Sequence, residues 1–141
     1  MSRKSQSLGQ AFERRIIDEA KRLPVWIKIP TARTIDGRPA GKTWLDFFGI
    51  APDGRAITAD AKWIGQKATL PKSTLTHAQQ AWMEQAYQAQ GLVGALVGAV
   101  LDGRPQVCVV PWATLREASS VPLSASEDWV STLLELPRCP R

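Results

Sequence analysis

An uninterrupted run of ten apolar or small residues, Leu92–Leu101, constrains the fold of this chain more than any other feature. A run without polar alternation is typical of a strand buried on both faces, in the middle of a sheet that helices cover on each side. It is about half as long as a membrane-spanning helix requires. Gly94 and Gly98 within the run predict close packing against neighbouring elements, not a phosphate-binding loop. We therefore expect an α/β protein with a central mixed sheet flanked by helices.

Two shorter apolar runs, residues 43–50 and 56–63, alternate as the strands of a hairpin do. The segment Pro52-Asp53-Gly54 between them is expected to form a three-residue turn, in which proline presets the backbone and glycine accepts a positive φ. In the second run Asp60 and Lys62 share one face, because side chains alternate along a strand. The hairpin is therefore expected to present an acid and an amine on the same face.

The length of this turn predicts how the two strands pair. If Ala51 pairs with Arg55, counting back along both strands places Asp46 directly opposite Asp60. Like charges at that separation, about 4.5–5.5 Å between Cβ atoms, destabilise a sheet unless something neutralises them. A divalent cation held by the carboxylate oxygens is the natural candidate. A bulge at Gly54 would instead shift the register by one residue and turn one aspartate to the other face.

Helical periodicity precedes and follows this hairpin. The segment Ser7-Leu8-Gly9-Gln10 resembles a capping box and begins a predicted first helix that ends at Pro24. Glu13 lies at one edge of the apolar arc of that helix, where a partly buried carboxylate needs a partner. A second helix is expected to run from a capping box at Thr76 to a glycine stop at Gly91.

The remaining elements complete an order of helix, three strands, helix, strand, strand and peripheral helices. An alternating first strand precedes a short projecting loop at about residues 31–43. Two C-terminal helices are expected at residues 112–118 and 127–136, the second capped by Ser124 or Ser126. No internal repeat interrupts this order.

Composition places the chain among globular proteins. An apolar content of 44% fits one packed domain that spans residues 1–141, and the charged N-terminus has no signal-peptide core. We therefore expect a cytoplasmic protein that does not enter membranes. Cys108 and Cys139 form no metal-binding or disulfide spacing with each other or with the single histidine, His77. A structural zinc site is therefore not expected.

The net charge of +5 is unevenly distributed along the chain. Residues 1–72 contain 14 lysines and arginines against 7 acidic residues, whereas residues 73–141 contain 4 against 6. Basic side chains before and after the aspartates are typical of a protein that attracts a polyanion to a metal site. A solvated basic surface explains the charge equally well. The candidate DNA-binding residues are Lys28, Arg33, Arg38, Lys42, Lys67 and Lys72.

Four side chains together supply what metal-assisted phosphodiester hydrolysis needs, namely Glu13, Asp46, Asp60 and Lys62. Carboxylates are hard oxygen ligands for Mg²⁺, and a cation beside them can hold the attacking water or the scissile phosphate. Each residue alone has an ordinary structural explanation, such as a helix cap or an arginine partner. The six tryptophans could include a stacking platform for bases, but the strand and helix patterns around them, Trp63 included, predict core packing.

These acids lie within a longer series of motifs. The segments are Gly9-Gln10-Ala11-Phe12-Glu13, Lys28-Ile29-Pro30-Thr31, Thr43-Trp44-Leu45-Asp46-Phe47-Phe48-Gly49, Asp60-Ala61-Lys62, Gln79, Gly91 with the apolar strand after it, and Val110-Pro111-Trp112. The series resembles the PD-(D/E)XK nuclease superfamily and, more specifically, the RecU-type Holliday junction resolvases. It covers about residues 8–115, most of the chain. The resemblance implies a restriction-endonuclease-like αβββαβ core.

The same resemblance implies an activity. It is that of a homodimeric, Mg²⁺-dependent endonuclease, with Mn²⁺ as the alternative metal, that binds four-way DNA junctions. Such an enzyme nicks two strands symmetrically in DNA recombination and repair. By resemblance, Asp46 and Asp60 ligate the metal with help from the Ala61 carbonyl, and Glu13 orients metal-bound water.

Two further roles follow from the resemblance. Lys62 would position or activate the attacking water, and Gln79 would support the site. Family members carry a junction-engaging stalk between the first two strands, and the corresponding segment here, about residues 31–43, is shorter. The third acid is Asp60 where many members have glutamate, and the superfamily pattern allows both.

Two alternatives remain open at this point. The first is another PD-(D/E)XK nuclease, of restriction or repair type, that acts on duplex DNA. The second belongs to a different class, a noncatalytic nucleic-acid-binding module whose acids are structural. Asparagine at Asp46 or Asp60 separates the classes, because an enzyme would lose cleavage but keep DNA binding, whereas a structural acid would be needed for folding.

Overall fold

The computed structural model describes the backbone of residues 3–30 and 45–140, with side chains from residue 7 onward. The expected projecting loop at about residues 31–43 lies outside these ranges. Helices are α1 (Arg3–Glu19), α2 (His77–Gln88), α3 (Trp112–Leu115) and α4 (Trp129–Leu134). Strands are β1 (Val25–Lys28), β2 (Phe47–Ile50), β3 (Ala56–Gly65), β4 (Thr69–Pro71), β5 (Leu92–Leu101), β6 (Arg104–Pro111) and β7 (Ser120–Pro122). Among the described helices, none has the length and apolarity needed to cross a membrane.

Five of these strands form one mixed sheet, in the spatial order β1, β2, β3, β5, β6. Strands β3 and β5 are parallel, and α2 lies in the crossover that a parallel pair requires. The other three pairings in this sheet are antiparallel. Strand β5 therefore lies inside the sheet, between β3 and β6, as its apolar run predicts. The expected α/β class with a central mixed sheet and flanking helices is confirmed.

Helices cover both faces of this sheet. One core cluster joins α1 and α4 to the sheet, and a second joins α2 and α3 to the opposite face. Strand β5 contributes alternate side chains to both clusters, which explains why it lacks a polar face. Its members are Leu92 and Leu96 in the first cluster, and Val93, Ala95 and Val97 in the second.

The two glycines of β5 lie where neighbouring atoms leave no room for a side chain. A Cβ atom at Gly94 would lie 2.9 Å from the carbonyl oxygen of Val110, on the adjacent strand. At Gly98 it would lie 2.5 Å from the Trp63 ring and 2.6 Å from the Phe12 ring. Their predicted role in close packing is therefore confirmed.

The β2–β3 hairpin has the register expected from its turn. Phe47 pairs with Ala59 and Ile50 with Ala56, and the amide of Ala51 donates to the carbonyl of Arg55 at 2.9 Å. Gly54 has a φ of +90°, which a glycine adopts without strain. The pairing on either side of the turn is continuous, so no bulge shifts the register.

The first helix begins earlier than its capping motif predicts. Helix α1 starts at Arg3, so Ser7 lies inside the helix and does not cap it. Serine costs a helix interior only a few tenths of a kcal/mol, so it does not prevent four more residues from joining the helix. The C-terminal end is closer to the expectation, because a 3₁₀ turn at Ala20–Arg22 follows α1 and precedes Pro24.

The two C-terminal helices are shorter than predicted. Helix α3 ends at Leu115, and α4 covers only Trp129–Leu134. Asp128, not Ser124 or Ser126, caps α4 and accepts a hydrogen bond from the amide of Ser131 at 3.3 Å. The Ser131 hydroxyl and Arg22 also bond this carboxylate, and together these contacts lower the pKa of Asp128. Asp128 thus caps α4 and also forms an ion pair with Arg22, in the 3₁₀ turn that follows α1.

Helix α2 has the predicted capping box. The Thr76 hydroxyl accepts from the amide of Gln79 at 3.1 Å, and the Gln79 side-chain oxygen accepts from the amide of Thr76 at 3.0 Å. The helix ends at Gln88, and Gln90, not Gly91, takes the positive φ of 71°. The amide of Gly91 then donates to the carbonyl of Ala86 at 2.9 Å. The helix stop is thus one residue earlier than the glycine pattern predicts.

A second, two-stranded sheet has no counterpart in the sequence pattern. Strands β4 and β7 pair in antiparallel fashion, with Leu70 opposite Val121. Each strand has only three residues, too few to show alternation. The pairing joins segments about fifty residues apart, so local signals do not predict it.

A charged network attaches α3 to α2. The carboxylate of Glu84 accepts two hydrogen bonds from Arg116 at 2.8 Å and one from the Trp112 indole at 2.9 Å. The Arg116 hydrogen bonds are the largest cause of a pKa of about 2 for Glu84, against an ordinary 4.5. Burial opposes this shift, whereas the Trp112 indole and the Gln88 amide add to it. Glu84 therefore stays ionised in the folded state at moderately acidic pH.

Replacing Glu84 with glutamine is expected to lower the free energy of unfolding at pH 7 by about 1–2 kcal/mol, because a partly exposed ion pair is screened by solvent. The folded-state pKa is depressed, so this stabilisation is complete above about pH 4.5 and is lost as pH falls towards about 2. Urea denaturation of both proteins at pH 7, 4 and 2.5 measures the difference. Glu117→Gln is the control, because Glu117 pairs with the same Arg116 but is 73% exposed.

A difference between wild type and Glu84→Gln that stays constant from pH 7 to pH 2.5 would contradict this assignment. An effect of Glu117→Gln as large as that of Glu84→Gln would do so as well, since both variants remove one partner of the same guanidinium.

Candidate active site

Four of the predicted site residues, Glu13, Lys28, Asp46 and Ala61, meet where β1 ends, β2 begins and β3 passes α1. A cavity of about 350 Å³ opens there. Its lining consists of Gly9, Phe12, Glu13, Lys28, Asp46, Ala61 and Trp63. Three further candidates, Asp60, Lys62 and Gln79, adjoin this cavity through β3 and are not among its lining residues. The structure thus gathers one group of predicted residues in the cavity and another directly behind it.

Asp46 lies at a bend just before β2, where the alternation of side chains is interrupted. Leu45 packs in the cluster under α2, yet Phe47, two residues later, packs in the cluster under α1. The Asp46 carbonyl accepts from the amide of Ile29 at 2.7 Å, which ties the bend to the end of β1. Its carboxylate is buried and accepts from the amide of Ala61 at 2.8 Å. The bend therefore aims this carboxylate at the backbone of β3.

Asp60 is fully buried on the α2 side of β3. One carboxylate oxygen accepts from the side-chain amide of Gln79 at 3.2 Å, and the other lies 3.2 Å from the ammonium of Lys62. Asp60 and Lys62 thus share a face of β3, as the alternation predicts. Burying a carboxylate is costly unless partners compensate, and here a cation and an amide do so.

Gln79 is held at both ends of its side chain. The amide oxygen belongs to the capping box of α2, and the amide nitrogen donates to Asp60. Helix capping and orientation of the acid are therefore performed by one residue. The side chain of Gln79 is thus fixed against the carboxylate of Asp60.

The register of the hairpin is as predicted, but each of the two aspartates has its own hydrogen-bond partners. The pairing of Phe47 with Ala59, continued by one residue, places Asp46 opposite Asp60. Asp46 nevertheless bonds the amide of Ala61, whereas Asp60 bonds Gln79 and Lys62. Separate donors thus reduce the repulsion that the register alone predicts.

Glu13 has its partner across the cavity. Its carboxylate forms an ion pair with the ammonium of Lys28, which joins the middle of α1 to the last residue of β1. This is the partner that the edge position of Glu13 on the helix requires. Lys28, predicted as a DNA-binding residue, therefore lies inside the candidate site. The sequence could have predicted this position. Alternation along β1 places Lys28 on the same face as Trp26, and Trp26 packs against the cluster under α1.

The other predicted DNA-binding residues do not line the cavity in the part of the chain that the structure describes. Lys67 is exposed in the turn after β3. The ammonium of Lys72 donates to the carbonyl of Arg116 at 3.1 Å and lies 5.8 Å from the centre of the Trp112 ring. Arg33, Arg38 and Lys42 lie outside the described residues. Of the predicted cations in the described ranges, Lys28 is therefore the one that lines the cavity.

The oxygen donors available for a metal come from two neighbouring strands. They are the carboxylates of Asp46 and Asp60, to which the resemblance adds the Ala61 carbonyl. Within residues 7–30 and 45–140, no group of three or more His, Cys, Asp or Glu side chains is arranged to hold a metal. Glu13 contacts Lys28 and does not complete such a group. Two carboxylates fit Mg²⁺, which commonly binds one or two carboxylates and fills its other positions with water and substrate phosphate.

Trp63 is a cavity residue that the sequence pattern assigns to the core alone. Its ring packs against the cluster under α1 and, on another side, lines the cavity. It follows Ala61 by two positions in β3, so alternation places both on the α1 side. The two-residue spacing from Ala61 could therefore have predicted that Trp63 lies beside the acids.

Comparisons with known proteins give no assignment. No protein-family model matches the chain, and no curated protein matches it significantly in sequence. The residues of the cavity and of β3 behind it are therefore the basis of a functional proposal.

Proposed function

We propose that the protein is a metal-dependent DNA endonuclease with a PD-(D/E)XK core, of the RecU-type Holliday junction resolvase kind. One observation carries the proposal: Asp46, in the bend just before β2, has a buried carboxylate that bonds the amide of Ala61, and the preceding residue of β3, Asp60, has a second buried carboxylate that pairs with Lys62. Stability alone does not favour two buried acids at one place in a sheet. Metal-dependent hydrolysis of a phosphodiester uses such acids as ligands of the metal.

The order of the elements agrees with this proposal. A helix, three antiparallel strands, a crossover helix and a parallel strand follow each other in the described ranges, together with the antiparallel strand β6. The acids come from the first helix and the first hairpin, as the superfamily pattern requires. This agreement supports the expected restriction-endonuclease-like core.

The two aspartates and the Ala61 carbonyl would hold the Mg²⁺ ion. When bound, the metal would polarise the scissile phosphate and make a bound water more acidic. The chain supplies the rest of the chemistry. Gln79 keeps the Asp60 carboxylate in one orientation, and the amide of Ala61 does the same for Asp46. Preorganised acids avoid the cost of rearrangement at the moment of reaction.

The two lysines have different positions in the reaction. Lys62 would hold the attacking water or a phosphate oxygen beside Asp60. Lys28 offers a second cation, which lines the cavity and pairs there with Glu13. Water would then add to phosphorus and release a proton to solvent, one phosphorus–oxygen ester bond would break, and the departing sugar oxygen would take up a proton from solvent. Glu13 would orient that water.

The proposed substrate follows from the geometry of a four-way junction. A junction has near two-fold symmetry, so two symmetric nicks require two active sites related by a two-fold axis. A homodimer of this chain supplies them. The basic N-terminal half of the sequence provides the charge for binding the phosphate backbone.

A second candidate function is supported by the same contacts. Each acid has a partner within the protein, namely Lys28 for Glu13, the Ala61 amide for Asp46, and Gln79 with Lys62 for Asp60. Such pairing is also what structural acids in a noncatalytic nucleic-acid-binding module would have. Cleavage, not binding, separates the two functions.

The test is cleavage of a synthetic four-way junction beside linear duplex of the same sequence, with Mg²⁺ and with EDTA. Nicks are mapped on all four strands. Paired, symmetric nicks in the junction alone, abolished by EDTA, are the expected result. Equal cutting of the duplex would indicate a restriction or repair nuclease of the same superfamily, and tight binding without cutting would support the noncatalytic module.

Replacing Lys62 with alanine is expected to slow junction cleavage by at least about 100-fold, because the variant lacks the charge that positions the attacking water. Junction affinity should change little, since one lysine contributes little to an interface with many phosphates. Single-turnover cleavage and a binding titration in EDTA measure the two quantities. Lys21→Ala is the control, because Lys21 is exposed and pairs with Asp18 on α1. A Lys62→Ala protein that cuts at the wild-type rate would remove Lys62 from the mechanism.

A further inference from the structure

Two aromatic rings form one wall of the candidate active site. Phe12 and Trp63 both line the 350 Å³ cavity, and their ring centres lie 6.1 Å apart at an angle of 41°. The same cavity is also lined by the charged groups Glu13, Lys28 and Asp46. A cavity that combines aromatic rings with charged groups suits one nucleotide, which has an aromatic base and an anionic phosphate.

The position of the Trp63 ring is determined by its neighbours. A Cβ atom at Gly98 would lie within 2.7 Å of both the Trp63 and Phe12 rings, so the rings rest directly on the backbone of β5. A Cβ at Gly9 would make an ordinary contact with Trp63, at 3.9 Å, from α1. The ring is thus held between a strand and a helix and loses little further freedom when a ligand binds.

The same rings line a second, smaller cavity. It has a volume of about 110 Å³ and is otherwise lined by residues of α1 and β6, such as Leu8, Arg15 and Val107. Trp63 therefore meets open space on two sides while its remaining surface packs on the core. Full burial, which the sequence pattern predicts, would leave no such space.

We propose that Trp63, supported by Phe12, stacks on the nucleobase next to the scissile phosphate. Ala61, whose backbone lies beside both aspartates, precedes Trp63 by two strand residues, about 6.6 Å along β3. That separation is of the order of one nucleotide. A phosphate held at the acids therefore brings a neighbouring base to the ring. The inference rests on the proposed nuclease function and adds the substrate feature that the site would recognise.

A base inside a duplex cannot reach Trp63 without leaving its stack. Unstacking costs a few kcal/mol in intact duplex and least where the base is already unpaired or unconstrained. The free energy of unstacking is therefore smaller for DNA with a branch point or an unpaired nucleotide beside the cut. Trp63 would thus contribute to selection of branched DNA over duplex.

The test combines substrates and variants in the full-length protein. Four-way junctions with a single abasic site, placed in turn at each nucleotide beside the mapped cut, are compared with the intact junction. Wild type should cut one abasic junction about tenfold more slowly than the intact one, the size of effect that loss of a base–aromatic stack produces. Trp63→Leu should cut the intact junction about tenfold more slowly and should lose the sensitivity to that abasic site.

Two variants separate stacking from structural damage. Trp63→Phe keeps an aromatic face and should retain part of the abasic sensitivity even if Trp63→Leu fails to fold. Trp82→Leu replaces a partly exposed indole of α2 and should leave the sensitivity of wild type unchanged. Wild type that cuts every abasic junction at the intact rate would overturn the inference, as would Trp63→Leu with unchanged sensitivity. Absence of Mg²⁺-dependent cutting of the intact junction would instead refute the proposed function.

Discussion

Replacing Asp60 with asparagine is expected to slow junction cleavage by at least about 1000-fold, equivalent to about 4 kcal/mol of activation free energy. The substitution removes the charge of a metal ligand but keeps an oxygen that accepts from Gln79. It also removes the cost of burying a carboxylate, and Lys62 is exposed enough to remain hydrated. The fold should therefore survive, with a free energy of unfolding lower than that of wild type by no more than about 1–3 kcal/mol, because a buried ion pair is lost but one hydrogen bond is kept.

Three measurements check this result: single-turnover cleavage with Mg²⁺, junction binding in EDTA, and urea denaturation. Asp53→Asn is the matched control, because Asp53 lies in the turn of the same hairpin and an asparagine there can still accept from the amide of Arg55. The control should cut normally. An Asp60→Asn protein that binds junctions but does not cut supports the enzyme. One that unfolds would support a structural role for the acid and the noncatalytic module.

Alanine at Gly98 is expected to lower the free energy of unfolding by about 3 kcal/mol, at the upper end of the usual cost of overpacking a core. The added methyl group would overlap the Trp63 and Phe12 rings, at 2.5 and 2.6 Å. Phe12 belongs to the cluster under α1 and Trp63 packs against it, so displacing either ring disturbs the packing of that cluster. Urea denaturation measures the loss, and near-ultraviolet circular dichroism reports displacement of the indole.

Gly9→Ala is the matched control for this prediction. It adds a methyl group near the same Trp63 ring, but from α1 and at an ordinary distance of 3.9 Å. Inside a helix, alanine is more favourable than glycine, so this variant should gain about 0.5–1 kcal/mol. Opposite effects of the two substitutions are expected. A Gly98→Ala protein as stable as wild type would show that the rings do not rest on β5.

The sequence alone determined the features that depend on neighbouring residues. The turn at Pro52-Asp53-Gly54 has the expected positive φ at glycine, and it sets the register of β2 and β3. The capping box that joins Thr76 to Gln79 begins α2 as predicted. The apolar run Leu92–Leu101 is the strand β5 inside the sheet. These are local preferences, in which each backbone conformation follows from a few adjacent side chains.

Where several local signals compete, the sequence was a poorer guide. Ser7, Ser124 and Ser126 are all acceptable caps, yet α1 begins at Arg3 and α4 is capped by Asp128. The aspartate has an additional partner, Arg22, more than one hundred residues away in the chain. A contact over that separation is not visible in a local pattern.

The tertiary structure decided how the candidate site is assembled. Register predicts which backbone positions of β2 and β3 face each other, but the bend at Asp46 sends its carboxylate to the amide of Ala61. The pairing of Glu13 with Lys28 joins a helix to a strand that no local sequence pattern connects. Trp63 lines a cavity because α1 and β5 approach it at glycines. Side-chain positions depend on contacts between distant segments, and only the packed chain brings those segments together.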